Sequence, residues 1–468
     1  MIQQKRRARW ELTALTAGFL ALTGCYVKDQ LLEPQNPGTV QQSSVQSAAG
    51  ALALRVGAIG RIRNVVDGGD ERLWQQGGHL ADEFKNADFQ PTRADIDRRS
   101  ITTNNGDVPY ATITQQRGFL RDALGAMNQY SKDSTVLISE LWMGLGFLEM
   151  SLAENYCNGI PLGHTNAPDI VLGPALTNAQ VYDSASAHLD SALNLNKTPG
   201  TNVQALVVDR ANRILKARIL IDQGKYAEAA ALVPESAVPT SYQYLFTTSS
   251  GTNGGLEDNG LWQIQVSTAR ITVSDSFDII SGVKYVVANQ LPFVSAKDPR
   301  VPVIGPTGTA EDGITPFYRS TLWANRDDPI AMVSGIDARL IEAEARLNAS
   351  DIAGMMTILN TKLRGVPQAI GNTAVPAMAP LATPTTQSDA ISLFFREKAF
   401  WTFGRGQRLS DLRRLMRQYN RPEEQVFPTG RFSFGGVETG TYGHDVNLPV
   451  TDAELPNPNF TGCIDRKP

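Results

Sequence analysis

The sequence is poor in the residues from which most active sites and metal centres are built. Its four histidines, His79, His164, His188 and His444, lie far apart, and His188, in an expected helix, has no histidine partner four residues away. No HExxH, CxxC, GxSxG or phosphate-loop motif occurs. The short signatures of zinc hydrolysis, thiol redox chemistry, a serine nucleophile and nucleotide binding are therefore missing. Adjacent acids such as Asp82 and Glu83 are of a kind common on surfaces. The expectation is a chain with no cofactor, no metal and no catalytic residues. Charge of one sign is also lacking: 43 Lys and Arg stand against 47 Asp and Glu, a net charge of −4. Phosphate contact is mostly electrostatic, so this balance argues against a nucleic-acid partner. After the N-terminal 25 residues no apolar run reaches the ~18 residues of a spanning helix. Only three cysteines are present.

What is present begins with the composition of an ordinary globular protein, 42% hydrophobic and 19% charged, with 40 Gly and 26 Pro that imply long loops. The length of 468 residues allows one large core or two to three smaller ones. The chain opens "MIQQKRRARWELTALTAGFLALTGC". Lys5, Arg6, Arg7 and Arg9 precede a short apolar run over residues 12–22, the pattern of a secretory signal. The run ends Leu22-Thr23-Gly24-Cys25, which resembles a bacterial lipobox. The resemblance implies removal of residues 1–24, lipid on Cys25, and a membrane contact made through that anchor alone. Residues 25–44, polar and holding Pro34 and Pro37, read as a tether. Cys157 and Cys463 remain, and in an oxidising compartment the expectation is one disulfide. Closing so long a loop stabilises by roughly 4–5 kcal/mol on the chain-entropy account.

The rest, residues 45–468, reads as one helical domain. In "STVLISELWMGLGFLEMSLAENY" Leu137, Leu141, Leu145, Leu148 and Leu152 recur at helical spacing, and Val181, Ala185, Leu189 and Leu193 do so further on. A helix-turn-helix unit then occurs twice, as "DRANRILKARILIDQGKYAEAAALV" and "DARLIEAEARLNASDIAGMMTILNTKLRGV". Both are similar to the tetratricopeptide unit, whose helices bury their faces by stacking on neighbours. Two stretches differ in character, at about 70–115 and 234–334. They are rich in Ser, Thr, Gly and Asn, and the second holds the β-like runs "LWQIQVS" and "VKYVVAN". They are expected to be large irregular insertions on a rigid helical frame, the part of a fold that commonly carries function.

One stretch poses a separate question. "FFREKAFWTFGRGQRLSDLRRL", residues 394–415, interleaves basic residues with aromatics, a pattern that also serves nucleic-acid binding. Here it reads as structure. Ser388 can cap a helix whose core stripe is Ile391, Phe394, Phe395, Ala399 and Phe403, and Asp411 can pair with Arg408 or Arg414 one turn away.

Taken together, these pieces resemble the SusD/RagB family of outer-membrane nutrient-binding lipoproteins. "SELWMGLGFLEMSLAENYCNGIPL", "RANRILKARILIDQGKYAEAA", "GIDARLIEAEARLNASDIAGMMTILNTKLRGV", "REKAFWTFGRGQRLSDLRRL" and "NLPVTDAELPNPNF" are similar, in that order, to five family segments, and with the lipobox they span nearly the whole mature chain. Lys398 and Phe403 stand where the family often has Glu. The resemblance implies an all-α, tetratricopeptide-like scaffold with loop insertions, anchored at the outer-membrane surface. It implies a glycan or another nutrient as ligand and a SusC-like TonB-dependent transporter as partner. A competing expectation is a helical-repeat scaffold that binds other proteins and no small ligand. The candidate ligand residues are Asp82, Asn105 and Tyr110 in the first insertion and Trp262, Tyr285 and Trp323 in the second, since sugar sites set aromatic faces beside polar groups.

Overall fold

The computed structural model describes residues 46–102, 107–166, 169–246, 248–250 and 258–468. The signal sequence, Cys25, the tether and Asn105 lie outside the described residues. Helices dominate. They are α1 (Ala48–Val66), α2 (Leu73–Leu80), α3 (Pro91–Asp97), α4 (Asp107–Tyr130), α5 (Thr135–Asn155), α6 (Asn178–Leu195), α7 (Val203–Asp222), α8 (Tyr226–Leu232), α9 (Gly335–Asn348), α10 (Ile352–Thr357), α11 (Gln387–Trp401) and α12 (Arg408–Arg417). Capping boxes start two of them. Thr177 and Gln180 close the first turn of α6, and Ser334 and Asp337 that of α9.

Each helix from α4 to α9 packs on its neighbour in sequence, the stacking that tetratricopeptide-like pairs require. Helix α5 is the centre. By length and composition it is apolar enough to cross a bilayer, but 83% of its most apolar window is buried inside the protein. Its glycines set the spacing: a side chain at Gly146 would run into Leu189 of α6. A second apolar cluster joins α9, α10 and α11 through Leu340, Leu347, Met355, Phe394 and Phe395. Of the expected stripe of α11, Phe394, Phe395 and Ala399 are buried and Ile391 is half-buried, while Phe403, also buried, lies beyond the end of the helix at Trp401. Its cap is Thr386 rather than Ser388, which lies inside the first turn; Asp389 N donates to Thr386 Oγ1 at 3.1 Å. Cys157 and Cys463 form a disulfide, with Cα atoms 5.9 Å apart, that fastens the C-terminal segment just beyond α5.

Apart from the exposed Arg396, the basic residues of the 394–415 stretch are buried and paired. Arg405 donates to Asp337 Oδ2 at 2.6 Å, Lys398 to Asp411 Oδ1 at 2.6 Å, and Arg408 Nε to Asp82 Oδ1 at 3.3 Å. Arg414 holds Asp411 at 3.0 Å and also Glu344, and Arg417 reaches Asp222 at 3.4 Å. Arg413 donates to the carbonyls of Ala153 and Glu154 at 2.9 and 2.7 Å, and with Asn178, which also donates to Ala153 O at 3.0 Å, supplies donors to the C-terminal carbonyls of α5. Burial pulls the Arg413 guanidinium down to about 10, even with Tyr182 and the nearby acids favouring its charge. These side chains tie α5, α7, α9 and α11 to α12.

The strands form short two-stranded ribbons. One departs from the sequence expectation. "VKYV" is a strand, Val283–Val286, but "LWQIQVS" is a turn of helix, Gly260–Trp262, that runs into a π-helix, Gln263–Ser267. Asn259 overrides the β-like alternation by capping the turn, accepting from Trp262 N at 2.8 Å.

Candidate ligand-binding face

The two insertions meet through one ribbon. Strand Phe84–Asn86 pairs antiparallel with Ile271–Val273, in register Phe84 to Val273, Lys85 to Thr272 and Asn86 to Ile271. Ala87 N extends the pairing to Arg270 O at 2.9 Å. The chain then exposes Phe89, 70% accessible, in the turn before α3. Pro91 opens α3 and Asp88 Oδ1 accepts from Gln90 N at 2.8 Å, so this turn is defined on both sides.

A chain of ion pairs runs beside Phe89. Arg93 Nε donates to Asp88 at 2.6 Å, and Arg93 Nη1 to Asp70 at 2.8 Å and Glu71 at 3.2 Å. Asp70 also takes Arg270 from the second insertion, and Arg270 Nε donates to Glu311 at 3.0 Å. Asp70, Glu71, Arg270 and Glu311 are each about a third exposed, so their remaining donors and acceptors face water. Glu71 adopts a left-handed backbone at φ 57°, a conformation that costs a side-chain-bearing residue roughly 1–2 kcal/mol.

Trp262 is held nearby. Gly260 and Leu261 donate their amides to Asp67 at 3.3 and 3.2 Å, and the backbone at Gly260 lies so close to Asp67 O that a Cβ would sit 1.2 Å from it. Only glycine fits there. Burial pushes the Asp67 carboxyl up to about 7, against the pull of Arg63 and those two amides. Asn259 donates to Asp328 O at 2.7 Å, and Arg326 pairs with Asp258 at 2.8 Å while lying 5.7 Å from the centre of the half-buried Trp262 ring. The indole is thus presented by a rigid turn.

The other expected residues fall elsewhere. Asp82 is buried, bonded to Arg408 and to Leu291 N at 3.2 Å, and serves the core. Trp323 is buried and stacks on Phe403 with ring centres 6.0 Å apart. Tyr285 is half-buried on the hairpin Phe277–Ile280/Val283–Val286, with Arg431 at 4.7 Å from its ring centre. Beneath that hairpin Lys85, Asp278 and Tyr318 line a cavity of about 40 Å³, room for water. Tyr110 is buried edge-on to Tyr156, ring centres 5.3 Å apart, and forms part of the wall of a separate cleft of about 490 Å³ shared with Phe119, His164, Leu172 and Glu454. The sequence reading missed Phe89. Its signal was a large apolar residue in a polar turn just ahead of a proline that starts a helix.

The helical-pair scaffold carrying converging insertions is a known architecture. A laminarin binding SusD-like protein superposes with a TM-score of 0.60 at 14% identity, over 89% of this chain and 99% of that one. A SusD homolog from Bacteroides thetaiotaomicron gives 0.61 at 13% identity, over 91% and 99%. A SusD-like carbohydrate binding protein from Bacteroides vulgatus gives 0.56 at 14% identity, over 88% and 97%. The chain has the SusD-like fold. No protein-family model and no curated protein sequence matches it.

Proposed function

We propose that this protein is a cell-surface lipoprotein that captures a nutrient, a glycan in the first place, and delivers it to a SusC-like TonB-dependent outer-membrane transporter. The observation that carries the reading is the meeting of the two insertions through one ribbon, with Phe89 exposed just beyond it, the half-buried Trp262 beside Arg326, and the partly solvated pairs of Asp70, Arg270 and Glu311 between the two stretches. An aromatic face can stack on the C–H side of a sugar ring, and flanking charged groups can bind its hydroxyls. That two SusD-like neighbours are described as binding laminarin or carbohydrate supports the ligand class. The lipobox at Cys25 supports the anchor and the outer-membrane location. The protein acts by binding, without chemistry. Of the residues expected from sequence, Trp262 and Tyr285 are offered to ligand in this reading, and Asp82 and Trp323 stiffen the insertions from below.

The test is calorimetry and Trp fluorescence of the purified protein against a panel of neutral oligosaccharides and peptides. Saturable oligosaccharide binding, lost in Phe89→Ala and Trp262→Ala and kept in Tyr110→Phe, supports the reading. Binding lost only in Tyr110→Phe would move the site to the 490 Å³ cleft. Silence across the panel, with other proteins but no β-barrel transporter co-purifying, would favour a helical-repeat scaffold that binds no small ligand. Palmitate labelling and membrane association that persist in Cys25→Ser would reject the anchor.

A further inference from the structure

Of the seven basic residues in 396–417, six are bound to acids or carbonyls inside the fold. The seventh, Arg396, is not. It lies exposed on α11 with its guanidinium 5.7 Å from the centre of the Phe400 ring, and it forms no ion pair among the described residues. Arg396 lines a pocket of about 140 Å³ together with Arg408 and Arg421. Arg421 Nη2 donates to Ser388 O at 2.7 Å, Ser388 Oγ at 3.0 Å and Ser392 Oγ at 3.2 Å, and among the described residues it too forms no ion pair. Arg408 is answered by the buried Asp82. The wall adds the polar groups of Ser392, Gln425 and Asn289, and no carboxylate. In a chain with more acids than bases, three guanidinium groups around one pocket with no acid in its wall is a marked local excess.

We propose that this pocket binds an oxyanion, the sulfate or carboxylate group of an acidic sugar. A guanidinium presents a planar fork of donors that matches such a group, and a half-enclosed site strengthens the pairing over one in open water. The volume is several times the ~30 Å³ share of a water molecule, enough for the charged group and part of its ring but not for an oligosaccharide. The apolar side of the pocket, Phe395, Leu412 and Leu415, gives the ring a surface to lie on. The site shares no residue with the insertion face, so it stands or falls separately from the capture of neutral glycan.

The experiment is calorimetry of the full chain at low salt with glucose 6-sulfate, glucuronate, inorganic sulfate and glucose. The expected result is saturable binding of the anionic compounds, weakened by added chloride, with no binding of glucose. Arg396→Gln and Arg421→Gln should each weaken binding by about tenfold, and the double variant should abolish it while keeping the wild-type melting curve. Tighter binding of glucose 6-sulfate than of inorganic sulfate would identify a site that reads the sugar as well as the charge; equal affinity would identify one that reads the anion alone. Glucuronate against glucose 6-sulfate decides between carboxylate and sulfate. No binding of any anion, equal binding of glucose, or undiminished binding in the double variant would overturn the proposal.

Discussion

Asp337→Ala should be among the most damaging single substitutions in the scaffold. Asp337 is buried at the start of α9, where its side chain accepts from Ser334 N at 2.6 Å as part of the capping box. It also takes Arg405 at 2.6 and 3.1 Å and Gln407 at 3.2 Å. Burial pushes its carboxyl up, but Arg405, Arg218 and the Ser334 amide outweigh this and hold it below the usual carboxylate range. Removing it costs about 1 kcal/mol for the cap and about 3–5 kcal/mol for leaving Arg405 buried without its partner. The two losses share one side chain and are not summed, so the expected total is about 3–5 kcal/mol. Against a typical stability of about 5–15 kcal/mol that is a large share. The control is Arg346→Ala, which breaks a pair to Asp351 at 3.3 Å whose members are 62% and 38% exposed; it should cost about 0–1 kcal/mol. Denaturant unfolding followed by Trp fluorescence measures both. In Asp337→Ala/Arg405→Ala the orphaned charge is gone, and the loss should be about 1–3 kcal/mol smaller than the sum of the singles. A cost for Asp337→Ala no greater than for Arg346→Ala, or strict additivity in the double variant, would refute the reasoning.

Phe394→Ala, at a fully buried position of the α9–α11 cluster, should lose about 3–5 kcal/mol in the same assay; a near-neutral result would mean that the face assigned to α11 is wrong. Reducing the Cys157–Cys463 bond should lower stability by up to about 4–5 kcal/mol, read as a drop in melting temperature that the variant Cys157→Ser/Cys463→Ser reproduces. Glu83 is fully buried, accepts from Gly404 N at 2.9 Å, and burial pushes its carboxyl up to about 8 from 4.5. The folded state therefore holds this proton more tightly than the unfolded one, so the contribution is fully present below pH 4.5 and is lost as pH rises through about 8. Glu83→Gln should flatten the fall in stability between those pH values, and an unchanged slope would exclude Glu83 as its source.

The scaffold was legible in the sequence because its helices carry apolar residues three and four apart and end at Gly or Asn. The pairs around Gly224 and Asn348 fall where the periodicity breaks, and the disulfide was expected from two cysteines in a chain whose N-terminus reads as a secretory signal. The two stretches expected as irregular insertions were not legible residue by residue, and the first of them holds α2, α3 and the start of α4. An aromatic in a long polar loop can face water or pack inward, and composition does not distinguish the two. Trp323 packs inward on Phe403, and Tyr110 lies in no loop but in the first turn of α4, where it packs on Tyr156. Phe89 has no such ring partner among the described residues. The alternation in "LWQIQVS" misled for a related reason: a single cap at Asn259 and the close approach of Asp67 decided the backbone against the local pattern.

The disposition of charge shows how the scaffold and its surfaces are divided. Buried arginines would be costly if left alone, so a fold that buries Arg405, Arg408, Arg413 and Arg414 must place an acid or a run of carbonyls at each one. Those partners come from α5, from α9, from α12 itself and from the first insertion, so each pairing also fixes where a distant segment sits. Asp82 is the clearest case, since its bond to Arg408 docks the first insertion onto α12. Only where an arginine escapes this duty is its charge free for something that arrives from outside. Among the described residues Arg396 and Arg421 escape it on the helical side, and Arg270, about a third exposed, makes its pairs with Asp70 and Glu311 at the surface. The surfaces proposed here for recognition are therefore the places where the internal pairing of the scaffold is incomplete, at Arg396 and Arg421, or comes to the surface, at Arg270.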